Sequence, residues 1–174
     1  MRTVCAILAG LTLIACHPAP GPTPAHAPRA DSLVLERSRC FGFCPAYRLS
    51  LRADGSVMFA SRNPGDTART ATDSISPEKL GWLVQEAERI GFFELPPEIL
   101  KDHALCPVAA TDHPGATVTI FRADSAHRVV DYLGCRVGSD TSATARLESL
   151  RQFESAIDSV AQSQRWVRPA SLRN

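Results

Sequence analysis

The sequence lacks the features that would place it at once in a large functional class. Its 174 residues include 19 basic and 18 acidic side chains, so the formal net charge is only +1. This balance provides no overall field that would attract nucleic acid, and we predict no nucleic-acid partner. Beyond residue 16 no apolar run is long enough to span a bilayer.

The patterns of common catalytic sites are also missing. The sequence contains no Gly-x-Ser-x-Gly around a nucleophilic serine and no glycine-rich loop that could hold a phosphate. It also has no pair of carboxylates in the pattern that glycoside hydrolysis uses. We therefore predict that the protein is not an enzyme and that it needs no cofactor.

An export signal occupies the N-terminus. Residues 1–15 begin with one positive charge, at Arg2, and continue over 4–14 as an unbroken stretch of apolar and small residues. This stretch is too short for a transmembrane helix and has the length of a secretory signal peptide. We therefore predict that residues 1–15 are removed during export.

A lipid attachment site follows the apolar stretch. The sequence LIAC at residues 13–16 resembles the bacterial lipobox, in which the cysteine is lipidated and becomes the first residue of the mature chain. We predict a membrane anchor on Cys16; a plain signal peptide that is cleaved elsewhere is the alternative. His17 is not the aspartate that retains lipoproteins at the inner membrane, so we expect the outer membrane, facing the periplasm.

The rest of the chain divides into a tether, one domain and a tail. Residues 16–31 carry the predicted lipidated cysteine and a segment rich in proline and alanine, which cannot bury a core and should be extended. Residues 32–167 have the length and apolar content of a single domain, and residues 168–174 form a tail.

The strand pattern is clearest directly after Cys40 and Cys44. Apolar and polar residues alternate over 47–52, which predicts a strand with one face in water. The chain then turns at Asp54-Gly55. A three-residue loop, 53–55, keeps the apolar side chains of both strands on one face, because it pairs Leu51 with Val57 and Leu49 with Phe59. We therefore predict a type I turn with a glycine bulge.

Further elements follow along the chain. They are a weak strand over 67–73, a helix that begins at Ser76-Pro77 and ends at Gly91, a hairpin formed by 116–121 and 128–133, and a final helix over 144–164 with Leu147, Leu150, Phe153, Ile157 and Val160 inward. This order predicts an α+β domain: an antiparallel sheet of about five to six strands with two helices packed on one face.

Four cysteines lie inside the predicted domain. Export would place them in an oxidising compartment, and four cysteines allow three disulfide pairings. Their positions favour Cys40 with Cys44, across a tight loop that Gly42 makes feasible. Cys106 and Cys135 flank the second hairpin and would then meet at its open end. The two crossing pairings are the alternatives.

Redox and metal chemistry are less consistent with these cysteines than disulfides are. Thioredoxin-like sites place two residues between the cysteines, next to a helix N-terminus, whereas here three residues intervene and a strand follows. A zinc site needs four ligands, for which the weak candidates are Asp102, His103, Cys106, Asp112 and His113. Such residues are also typical of a polar loop with a turn, so we predict no metal.

The first cysteine motif resembles the signature of a known family. Residues 39–47 read RCFGFCPAY, and an Asp-Gly turn follows the next strand. This is similar to a family of bacterial domains of unknown function with the signature Cys-x-Gly-x-Cys-Pro-x-Tyr. The matching residues are Cys40, Gly42, Cys44, Pro45, Tyr47, Asp54 and Gly55. The resemblance implies a secreted or lipid-anchored envelope protein and brings no activity with it.

Together these patterns predict a cell-envelope lipoprotein with a disulfide-stapled periplasmic domain that acts as a binding or structural module. It would contact the membrane through the lipid on Cys16, and its ligand would be an envelope protein or a small molecule. The alternative is a thiol-redox or metal-handling envelope protein, which free thiols at Cys40 and Cys44 would indicate.

Overall fold

The structure, a computed structural model, describes residues 30–42, 44–63 and 69–167. The predicted signal peptide, the lipid site, nearly all of the tether and the tail lie outside these residues. The elements are, in chain order, β1 (Ser32–Arg37), β2 (Tyr47–Arg52), β3 (Ser56–Ser61), β4 (Thr70–Ser74), α1 (Pro77–Arg89), β5 (Val108–Ala109), β6 (Gly115–Arg122), β7 (Ser125–Tyr132), β8 (Cys135–Arg136) and α2 (Thr141–Ala161).

Six strands form one antiparallel sheet in the order β4-β3-β2-β1-β6-β7, and β5 pairs with β8 in a separate two-stranded ribbon. The first strand lies in the middle of the sheet. Leu35 of β1 faces Leu49 of β2 on one side and Val118 of β6 on the other. β1 therefore joins the β2–β3–β4 meander to the β6–β7 hairpin.

One face of the sheet packs against both helices. Leu33 and Leu35 of β1 belong to the same buried cluster as Leu83 of α1 and as Leu150 and Ile157 of α2. All five side chains are 0% exposed. The predicted α+β class, with a six-stranded sheet and two helices, is confirmed. No helix among the described residues is long and apolar enough to cross a bilayer.

Several predicted boundaries were wrong by a few residues. α2 begins at Thr141 because the carboxylate of Asp140 accepts the backbone N–H groups of its first turn, and it ends where Gln162 adopts a left-handed conformation (φ 51). Val160 is half-buried and packs against the core, as predicted, and Glu154, for which no inward position was predicted, is buried. The ribbon of β5 and β8 was not predicted, since two-residue strands show no periodicity.

The turn between β2 and β3 is the predicted one. Leu51 faces Val57, and the N–H of Gly55 donates to the carbonyl oxygen of Arg52 at 2.9 Å. Gly55 has φ 84, and a Cβ added there would collide with the carbonyl oxygen of Ile75. Both facts explain why glycine stands at this position.

We expect Gly55→Ala to lower the free energy of unfolding by about 2 kcal/mol, because the positive φ and the contact with Ile75 both oppose a side chain. Urea unfolding monitored by circular dichroism measures this change. Gly81→Ala is the matched control: Gly81 lies inside α1 with no atom within 4 Å of an added Cβ. It should raise stability by roughly 0.5–1 kcal/mol. Similar effects of the two substitutions would contradict this account of the turn.

Candidate functional site

The cysteine motif lies between β1 and β2, where the structure describes residues 38–42 and 44–46. Cys40 and Cys44 are joined by a disulfide with Cα atoms 5.5 Å apart, and Cys106 and Cys135 by another with Cα atoms 5.0 Å apart. This is the pairing that the sequence favoured. Cys106 and Cys135 are buried, whereas Cys40 and Cys44 are half-buried. The two disulfides therefore differ in their access to solvent.

Hydrogen bonds fix this loop against the neighbouring loop that leads into β6. The N–H of Ser38 donates to the carbonyl oxygen of Gly115 at 2.9 Å, and the N–H of Gly115 donates to Oγ of Ser38 at 2.7 Å. The N–H of Phe41 donates to the carbonyl oxygen of Asp112 at 3.4 Å. Gly42, with φ 134, allows a backbone conformation that other residues rarely adopt. The loop is thus held in one shape.

Charged side chains lie behind this loop, between the sheet and α2; Glu154 is fully buried, and Arg37 and Asp158 are half-buried. Nη1 of Arg37 donates to Oε2 of Glu154 at 2.7 Å, and Nη2 of Arg37 donates to Oδ2 of Asp158 at 2.9 Å. The hydroxyl of Tyr47, the tyrosine of the motif, donates to Oδ1 of Asp158 at 2.6 Å. The hydroxyl of Ser163 donates to the same oxygen at 2.6 Å. Asp158 therefore links both ends of the motif loop to α2.

A second ion pair extends this group toward β7. Nε of Arg151 donates to Oδ2 of Asp131 at 2.9 Å, and Asp131 is 0% exposed. Oδ1 of Asp131 and Nη2 of Arg151 are buried and have no hydrogen-bond partner in the described part of the chain. We call Arg37, Asp131, Arg151, Glu154 and Asp158 the buried charge cluster. It contains three carboxyl groups and two guanidinium groups.

Burial has the largest effect on the protonation of Glu154 in this cluster. Burial raises the pKa of Glu154 to about 8, against the attraction of Arg37 and with the added repulsion of Asp131. Burial alone would lower the pKa of Arg37, but Glu154 and Asp158 together outweigh it and raise that pKa. Burial therefore favours the protonated, neutral form of Glu154 over the charged form that an exposed glutamate would adopt.

Burial also raises the pKa of Tyr47 to about 12, and the charge of Asp158 and its hydrogen bond to the hydroxyl add to this effect. Tyr47 therefore stays a neutral donor. Removal of one partner from a buried ion pair typically costs 3–5 kcal/mol, because the other charge is left unpaired. Glu154 is 1% exposed, so a substrate could not reach it. The cluster acts by holding the motif loop on α2.

The weak metal candidates are not assembled into a site. Cys106 is in a disulfide and so offers no thiolate, His103 is exposed, and His113 contacts Arg136, with Nε2 and Nη2 3.5 Å apart. Asp112 has φ 65, which suits its predicted place in a turn. The described ranges contain no group of three or more His, Cys, Asp or Glu side chains placed to hold a metal ion.

A family model described as Domain of unknown function (DUF6438) matches residues 31–161. The chain belongs to the DUF6438 family. The DUF6438 domain extends from β1 to the end of α2, so it includes the motif loop, both disulfides and the whole buried charge cluster. No curated protein matches the chain. The envelope location that the cysteine motif implied stays a prediction.

The buried charge cluster of this DUF6438 domain was missed in the sequence, although a signal for it is present. Arg37 continues the alternation of Leu33 and Leu35, and Glu154 lies between Leu150 and Ile157 on the inward stripe of α2. A charged residue at an inward position needs a buried partner. An inward arginine on a strand and an inward glutamate on a helix therefore indicate that each needs a buried partner, although the pattern does not show which one.

We expect the stability of the DUF6438 domain to fall as the pH rises from 4.5, the ordinary pKa of Glu154, to about 8. The reason is that the folded state binds this proton more tightly than the unfolded state does. Glu154→Gln, which is neutral at all pH values, should remove this slope. Urea unfolding at several pH values measures it. Glu148→Gln, on the exposed face of α2, should keep the slope; the same slope in both variants would refute the assignment.

Proposed function

We propose that this DUF6438 domain is a non-catalytic binding or structural module of a bacterial envelope lipoprotein, anchored through Cys16 at the outer membrane and facing the periplasm. The observation that carries this proposal is the state of the cysteines: all four in the domain are joined in two disulfides. Such cross-links are typical of exported domains and rare in the cytosol.

The sequence before the domain supports the same proposal. The apolar stretch ends in LIAC at residues 13–16, and a segment rich in proline and alanine follows. Ala30, directly after that segment, is already buried in the core of the domain. An anchor, a spacer and a folded domain therefore follow one another without an intervening segment.

The distribution of perturbed side chains supports a module that acts through its surface. Among the described residues, the large pKa shifts belong to Arg37, Tyr47 and Glu154, which bind Asp158 or one another inside the domain. Catalytic groups with shifted pKa values normally line a cleft that substrate can enter. Here they stabilise the fold.

Expression of the full chain in a bacterium with two membranes tests the anchor. We expect the protein in the membrane fraction, with the mass of a chain that begins at Cys16 and carries lipid. Cys16→Ser should release it from the membrane fraction, because the lipid cannot be attached. The control Cys5→Ser lies within the predicted signal peptide and should leave the anchor intact. A Cys16→Ser protein that stays in the membrane with unchanged mass would refute lipidation.

One observation favours a second candidate function, thiol–disulfide exchange. Cys40 and Cys44 are half-buried on a surface loop, whereas Cys106 and Cys135 are 5% and 2% exposed. An attacking thiolate must reach a disulfide sulfur, so only the first disulfide is open to a partner protein.

Titration with a graded thiol buffer, followed by peptide mapping, distinguishes the two functions. A purely structural disulfide between Cys40 and Cys44 should stay oxidised until the potential of the thiol buffer falls to about −300 mV. A disulfide that exchanges with partner thiols should be reduced at a potential near about −200 mV. Cys106–Cys135 provides an internal control in the same molecule, because burial protects it. Reduction near the higher potential, with the fold retained, would favour exchange over a purely structural role.

A further inference from the structure

The most exposed large apolar side chains of the described residues are Phe41 and Val108, at 90% and 63% exposure. Each lies in a segment that a disulfide closes. Phe41 lies between Cys40 and Cys44, and Val108 follows Cys106 by two residues. Exposed apolar side chains are common one at a time, but two of this size on cross-linked segments suggest a contact surface.

Both side chains lie at the same end of the sheet, where β1 ends and β2 begins. We call this region, formed by residues 38–42, 44–46 and 102–114 and by the β5–β8 ribbon, the motif end. The N–H of Phe41 binds the carbonyl oxygen of Asp112, in the same loop as Val108. Val108 in turn lies opposite Arg136 in the ribbon. These backbone contacts connect the segment that carries Phe41 to the segment that carries Val108.

The motif end also carries exposed charged side chains. Arg39, beside Cys40, and Arg136, beside Cys135, are both exposed, and Asp112 is exposed as well. Asp102 is half-buried, and its carboxylate accepts the N–H groups of Ala104 and Leu105. The two arginines are therefore the cations that this end presents beside its protruding apolar groups, a combination that complements a surface that is apolar inside and anionic outside.

The loop cannot turn Phe41 inward to bury it. The disulfide, the two hydrogen bonds between Ser38 and Gly115 and the conformation of Gly42 fix its shape. Below it, Tyr47 is held by Asp158. A rigid loop loses little conformational entropy on binding, so even a small apolar contact contributes to affinity.

The point where the predicted tether joins the domain sets how far the motif end lies from the anchor. Ala30, where the predicted tether joins the domain, is at the opposite end of β1 from the motif loop, about 20 Å away by strand geometry. Residues 16–29 can extend to roughly 40 Å. The tether is therefore long enough for the motif end to return to the bilayer that holds the lipid.

We propose that the motif end docks on an anionic phospholipid bilayer, with Phe41 and Val108 at the level of the headgroups and Arg39 and Arg136 facing lipid phosphates. This inference rests on the proposed function, because the lipid on Cys16 keeps the domain near the bilayer. Apolar and aromatic side chains insert at this level, and arginine binds phosphate through a planar set of donors. The contact is weak by itself, but a short tether supplies an effective concentration in the millimolar range.

Vesicle sedimentation tests the proposal with the chain from residue 17 onward, which keeps the entire buried core, Ala30 to Ala161, but carries no lipid. The probes are vesicles of equimolar phosphatidylglycerol and phosphatidylcholine, and vesicles of phosphatidylcholine alone. We expect saturable binding to the anionic vesicles that high salt weakens. Phe41→Ser and Arg39→Glu should each reduce the partition coefficient about tenfold.

Met58→Ser is the matched control, because Met58 is 49% exposed on the sheet face away from the helices. It removes a comparable apolar group at a different place, and binding should not change. Circular dichroism and the retained Cys40–Cys44 disulfide verify that the variants are folded. Absence of binding to the anionic vesicles, or equal losses in Met58→Ser and Phe41→Ser, would overturn the proposal.

Sedimentation equilibrium of the same samples examines the other possible occupant. Self-association that Phe41→Ser abolishes, without vesicle binding, would mean that a second copy covers the motif end, and the bilayer proposal would be wrong. The mass and fractionation of the full chain test lipidation separately. A failure of docking can therefore be distinguished from a failure of the anchor.

Discussion

Asp158 accepts hydrogen bonds from Arg37 and from Tyr47, and these two residues stand at the two ends of the cysteine loop. Arg37 and Tyr47 face each other in the pairing of β1 with β2, so this carboxylate ties the two residues at which the loop begins and ends to α2, which lies far away in the sequence. The seating of α2 on the sheet and the position of the loop are thereby coupled through one contact. The disulfide closes the loop, but the buried charge cluster places it.

The cluster also explains how so much charge can lie inside a small domain. Three carboxyl groups and two guanidinium groups would leave one negative charge without compensation, and a low-dielectric interior opposes such a charge strongly. The raised pKa of Glu154 favours its neutral form, which reduces this excess. Within the described part of the chain, one oxygen of Asp131 and one nitrogen of Arg151 have no hydrogen-bond partner, so the charges are paired more completely than the hydrogen bonds. Loss of one member would leave its partner charge unpaired, which is why the cluster holds α2 on the sheet.

Local interactions were predictable from the sequence, and distant ones were not. The turn around Gly55 followed from the alternation on its two sides, and the disulfides followed from the short distance from Cys40 to Cys44 and from the hairpin between Cys106 and Cys135. By contrast, Arg37 and Asp158 are separated by 121 positions. Nothing within a local window shows that a strand at the beginning of the domain and a helix at its end will meet. The central place of β1 was missed for the same reason, since it depends on pairing with β6.

The central place of β1 has a mechanical consequence. Any tension on the chain before Ala30 acts along β1, which is hydrogen-bonded to β2 on one side and to β6 on the other. These bonds run across the strand, so the load is shared by many of them at once and is carried in shear. They do not open one after another, as they would at an edge strand. The domain should therefore resist unfolding by a force applied at Ala30, where the predicted tether joins it.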